Sequence, residues 1–136
     1  MAEKKLADVA LKRATEGKGE RKPGYCQRWA RQCVQAALGS RYDAWWRGEA
    51  DETAAAFLTN PPPGAQVIRS RSVSKTRLGD LLYCTTGHGG QGHVGIRVLG
   101  NRVAENSVRK SGRTHGAIGF CPLGEFGFDV IVRLPQ

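Results

Sequence analysis

Apolar residues recur every third or fourth position in the first half of the chain and nearly every other position in the second, which predicts helices followed by strands. From Cys26 the apolar series runs Trp29, Ala30, Cys33, Val34 and Ala37, one face of a helix, while Gln27, Arg28, Arg31, Gln32 and Gln35 take the other. Pro23-Gly24 punctuates the chain before this helix, and Gly39 supplies a stop after Leu38. Within residues 1–16, Leu6, Val9 and Ala10 among lysines and acids predict a short basic helix that frays at Gly17-Lys18-Gly19. Residues 51–58 read as another helix, with Asp51 or Thr53 near its cap and Asn60-Pro61-Pro62-Pro63-Gly64 as its end. The period then changes. Residues 67–73 form a weak strand candidate, and clearer strands are expected at 81–85, 93–99, 102–108 and 128–134, with 109–127 loop-like. Gly100-Asn101 reads as a two-residue hairpin turn. The pattern describes an α+β domain with its helices packed on one side of an antiparallel sheet, residues 23–136 forming the domain and 1–22 a basic helix and loop ahead of it.

Composition narrows the partners more than the fold. A chain of 136 residues suits one domain with a modest core, its 40% hydrophobic and 24% charged content is ordinary, and its 18 glycines imply many tight turns. No apolar run approaches the roughly 20 residues that span a bilayer, and no apolar segment follows the N-terminal lysines, so neither a membrane span nor an ordinary signal peptide is expected. The net charge of +9 favours an anionic partner such as nucleic acid, an anionic membrane surface or the acidic polymers of a bacterial wall. Arg69, Arg71, Lys75 and Arg77 form an acid-free run, and Arg97, Arg102, Arg109, Lys110 and Arg113 a second cluster. The four cysteines make no CxxC pair and are read as reduced.

Cys26 opens its helix, where unpaired N–H groups and the dipole favour a thiolate; it is either a nucleophile or the first residue of the buried stripe. A nucleophilic cysteine requires a base and a group to orient that base. His93 begins a strand after the glycine-rich turn 87–92, and Glu105 lies on the returning strand, with Asn106 and Ser107 beside it. A two-residue turn at 100–101 pairs 96 with 105 and 93 with 108, which leaves Glu105 displaced from His93; a bulge or longer loop is needed to bring them together. The glycine turn lacks the GKS or GKT ending of a phosphate-binding loop. Cys84, His88, His93 and Cys121 are metal-compatible in composition but not in spacing, so no metal or cofactor is expected. A basic nucleic-acid-binding protein would use the charge, yet no stacking platform, zinc finger or helix-turn-helix accompanies it.

Gly24-Tyr25-Cys26-Gln27-Arg28-Trp29-Ala30, Gly79-Asp80-Leu81-Leu82, Gly92-His93-Val94-Gly95-Ile96 and Val103-Ala104-Glu105-Asn106-Ser107 occur in that order. Together they resemble the CHAP and NlpC/P60 peptidoglycan hydrolases, papain-like cysteine peptidases and amidases. The resemblance implies a papain-like fold, Cys26 as nucleophile, His93 as base, Glu105 or Asn106 as the third residue, and the Cys26 backbone N–H with Tyr25 at the oxyanion. It implies peptidoglycan as substrate, cut within its peptides or between muramic acid and L-Ala. Without a signal peptide, it further implies a phage lysin held in the host cytoplasm until release, a hydrolase associated with phage tail or virion proteins, or an effector delivered by another machine. The alternative is a basic, non-catalytic phage protein that binds cell wall or nucleic acid.

Overall fold

A computed structural model describes residues 5–20, 26–86, 92–106 and 117–136. Three helices cover one face of a six-stranded sheet. The helices are α1 (Lys5–Glu16), α2 (Cys26–Leu38) and α3 (Ala50–Thr59); the strands are β1 (Gln66–Arg69), β2 (Leu81–Cys84), β3 (His93–Val98), β4 (Arg102–Asn106), β5 (Ile118–Pro122) and β6 (Val130–Arg133). The strand order is β1-β6-β2-β3-β4-β5, with antiparallel neighbours throughout. This is the expected α+β arrangement.

α2 buries the predicted stripe of Trp29, Ala30, Cys33, Val34 and Ala37. It ends where Gly39 adopts a φ of 78° and its N–H donates to the Gln35 carbonyl at 2.9 Å, a left-handed cap that suits glycine. α1 lays Leu6, Ala10 and Ala14 into the same core, and its Leu6 N–H donates to Gln136 Oε1 at 2.8 Å. α3 begins one residue earlier than the sequence suggests. Its cap is Glu49, which forms a reciprocal capping box with Glu52, while Thr53 is fully buried and accepts the Arg47 N–H at 2.7 Å. Trp46 joins the core with its ring edge on Phe57, and Trp45 stacks flat on Phe57 from the outer side.

Strand alternation divides the sheet between two apolar layers. Leu81, Tyr83, Val94, Ile96, Val98, Ala104, Val130 and Val132 face the helices; Leu82, Val103 and Ile131 face a smaller cluster with Leu123, Phe126 and Phe128. Three expectations need correction. Residues 109–127 are not all loop, because β5 pairs Val103 with Cys121 and Asn106 with Ile118; its glycine and proline hide it in the sequence, and an edge position tolerates Pro122. The first strand stops at Arg69, and Val73–Lys75 is a 3-10 turn.

The third correction is the hairpin register: Val98 pairs with Arg102, Arg97 with Val103 and Ile96 with Ala104, so Leu99, Gly100 and Asn101 together form the connection. Gly100 and Asn101 both have positive φ, 85° and 53°. The two-residue alternative would set Glu105 opposite Ile96 in the apolar layer, a burial that an unpaired carboxylate resists.

Candidate active site

Glycine 92 fixes the entry to β3. Its φ is 76°, and a Cβ there would stand 2.7 Å from the Cys84 carbonyl oxygen and 3.0 Å from the Asp51 nitrogen, so the chain passes between β2 and the first turn of α3 only without a side chain. His93 follows and pairs with Cys84 in the ladder. Its imidazole is buried, and its Nε2–H donates to Glu105 Oε1 at 2.6 Å. The Cys26 thiol also acts on this ring, favouring its charged form. Phe126 packs against the ring, centroids 5.4 Å apart.

The observed register explains why Glu105 reaches the histidine. Continued by one position, it sets Gly95 opposite Glu105, and on the other flank β5 pairs Glu105 with Gly119. No side chain stands on either side of the carboxylate at that level, so it extends diagonally to His93. A Cβ at position 95 would lie 2.4 Å from Val103 Cγ1 and 3.0 Å from Phe126 Cζ, which shows how closely the aromatic ring covers this glycine. Asn106, next along β4, projects to the opposite face beside Ile118 of the helix-side core.

The electrostatics follow from this enclosure. Burial by itself favours the neutral imidazole, but hydrogen bonds to Cys26 and Glu105, together with their negative charges, outweigh it and push His93 up to about 9. Cys26 is partly exposed at the first position of α2, with no acidic side chain in that turn, and its N–H is among those a helix leaves unpaired. Cys33, two turns deeper, is fully buried, and burial pushes its thiol up to about 12; it packs and does not react.

The structure thus brings Cys26, His93 and Glu105 together and leaves Asn106 facing the helices. Tyr25, Ser107, His88 and His115 lie outside the described residues. Among the described residues no three His, Cys, Asp or Glu side chains gather in a way that could hold a metal ion, and no helix is long and apolar enough to cross a membrane. Sequence reasoning missed Phe126, placed in a presumed loop, and Gly95, whose position inside a strand was itself a signal of close approach. It also missed the partner of Asp80. That buried carboxylate accepts two hydrogen bonds from Arg133, at 2.9 and 2.7 Å, and one from the Arg77 N–H at 2.8 Å, at the end of the sheet remote from His93. A cavity of about 500 Å³ lined by Arg77, Leu78, Arg133 and Leu134 opens beside this pair.

No protein-family model and no curated protein sequence matches the chain. Solved structures do. The endolysin LysIME-EF1 superposes with a TM-score of 0.62 at 20% identity over 97% of this chain, which spans 65% of that longer protein. The NlpC/p60 domain of the peptidoglycan hydrolase SagA gives 0.61 at 18% identity, covering 94% of this chain and 98% of that domain. The P60 domain of an M. avium subspecies paratuberculosis antigen gives 0.59 at 16% identity, covering 96% of each. Superposing on these domains along nearly its whole length, the chain has the NlpC/P60-type fold.

Proposed function

We propose that this protein hydrolyses amide bonds of bacterial peptidoglycan by acyl transfer through Cys26, with His93 carrying the proton and Glu105 orienting His93. The observation that carries the reading is the buried imidazole hydrogen-bonded to a carboxylate and electrostatically coupled to a helix-leading thiol. The fold shared with domains named as peptidoglycan hydrolases supports the choice of substrate. The net charge of +9 supports it too, since the wall carries anionic polymers.

The thiol proton passes to His93, and the sulfur attacks the amide carbonyl carbon. Negative charge then moves to the carbonyl oxygen, where the Cys26 N–H at the start of α2 donates to it. His93 returns the proton to the amide nitrogen, the C–N bond breaks, and the amine leaves. Water, deprotonated by the now neutral His93, attacks the thioester carbonyl; the C–S bond breaks and a carboxylic acid departs. Glu105 keeps the ring oriented and stabilises its charged form between these steps. The bond is a peptide bond of the stem or cross-bridge, or the muramoyl–L-Ala amide, and the setting is that of a phage lysin or tail-associated enzyme.

The test is digestion of purified murein, followed by mass spectrometry of the soluble products. Fragments with new amino groups should be released, iodoacetamide and Cys26→Ala should abolish release, and chelators should leave it unchanged. Full activity in Cys26→Ala would overturn the assignment.

A further inference from the structure

The cavity of about 500 Å³ beside Asp80 and Arg133 lies at the opposite end of β2 from the Cys84 and His93 pair, about 13 Å along the strand. Leu78, Leu134 and Pro135 give it an apolar wall, and no Asp or Glu side chain among the described residues lines it. Gly64 shapes its rim with a φ of 81°, and a Cβ there would stand 3.2 Å from Pro135 Cγ. The two guanidinium groups at the cavity differ. Arg133 is fully engaged, donating to both Asp80 carboxylate oxygens, to Gln66 Oε1 and to the Lys75 carbonyl. Arg77 is exposed, and its guanidinium has no hydrogen-bond or ion-pair partner among the described residues. Its main chain is nevertheless fixed: the N–H donates to Asp80 Oδ2 at 2.8 Å, and the carbonyl accepts the Asp80 N–H at 3.1 Å. An anchored backbone therefore presents a free planar fork of donors beside an apolar hollow.

We propose that this cavity is a second, non-catalytic binding subsite for a carboxylate on a short aliphatic body, with Arg77 taking the two oxygens and Leu78, Leu134 and Pro135 the carbon. The fork matches a carboxylate bidentately, and the apolar wall favours methyl groups over further charge. The free end of a murein stem peptide has this chemistry, a carboxylate flanked by the methyl side chains of alanine. Naming that source rests on the proposed function; the subsite itself rests on the cavity and on Arg77. The separation from His93 means that the group held is not the bond being cut. Murein repeats its peptides many times over, so a protein held at one end through Arg77 keeps its active site at a high local concentration of others.

N-acetyl-D-Ala-D-Ala is the probe, its C-terminal amide the uncharged control, and a glycerol phosphodiester the competing anion. In titrations of the whole protein followed by backbone NMR, the acid should shift the signals of Arg77, Leu78 and Leu134, and the amide should bind about tenfold more weakly, as expected when a charge-assisted pair is lost. Arg77→Gln should reduce the acid to the level of the amide and raise KM on intact murein by about fivefold to tenfold with kcat kept; Arg77→Lys, which holds the charge without the fork, should fall between. Equal shifts by acid and amide, or shifts confined to residues away from the cavity, overturn the proposal. Tighter binding of the phosphodiester overturns the stem-peptide assignment. If the wild type does not cleave murein, the proposed function is wrong, and the titration still decides whether the cavity holds a carboxylate.

Discussion

Glu105 meets His93 diagonally across Gly95, with Oε1 and Nε2 2.6 Å apart although the two residues are not ladder partners. The contact depends on a three-residue connection that sets the register, on a glycine that leaves the diagonal open, and on Phe126, which closes over the ring. Its charge is as important as its geometry, because Glu105 is one of the two groups that hold the imidazole in its protonated range.

Glu105→Gln keeps the shape and removes the charge. Since the carboxylate raises His93, its loss lowers the histidine, and the basic limb of the pH–kcat/KM profile should move from near 9 toward acid. Turnover should drop by about a hundredfold, the lower end of what a positioned acid–base group contributes. A limb that stays in place would show that Glu105 does not act on His93.

His93 also ties stability to pH. Its folded value of about 9 lies above the ordinary 6.5, so the native state binds the proton more tightly than the unfolded chain does. The contribution is therefore complete below pH 6.5 and disappears as pH rises through about 9. Denaturant midpoints of wild type and His93→Gln should differ most at the acid end of that window and converge above it. Divergence toward high pH would contradict the assignment.

Gly95→Ala introduces a methyl 2.4 Å from Val103 Cγ1 and 3.0 Å from Phe126 Cζ. The overpacking should cost about 1–3 kcal/mol in chemical denaturation. Because Phe126 must move and it packs on His93, activity per folded molecule should fall as well, whereas a purely structural site would spare it.

Asp80→Ala removes the carboxylate that pairs with Arg133 and leaves the guanidinium facing an emptied, buried position. A loss of about 3 kcal/mol is expected, the lower end for a broken buried pair, since Arg133 keeps some access to water. The pair stands at the far end of β2 from His93, so activity measured on the folded fraction should be retained.

Much of this architecture is legible from local patterns. The α2 stripe and the alternation in β2, β3 and β4 follow from periods that each segment carries alone, and they locate Cys26 and His93 without any tertiary information. What escaped reading depends on partners distant in the chain. Gly100-Asn101 allows two turn lengths, and only the cost of placing Glu105 opposite Ile96 selects between them. β5 exists because β4 offers it an edge, not because Ile118-Gly119-Phe120-Cys121-Pro122 favours a strand. Asp80 and Arg133 are separated by 53 residues.

The position of β6 has a consequence for how the chain reaches this state. β2, β3 and β4 are each paired with the strand that follows, so this part of the sheet forms from short loop closures. β1 is different: it waits for β6, whose Arg133 pairs with Gln66 and which must be inserted between β1 and β2. Closing that gap brings together residues far apart in sequence, and the entropy of doing so makes such steps slow. Assembly of the sheet is therefore ordered, with the strands carrying His93 and Glu105 able to pair before β6 locks β1 into place.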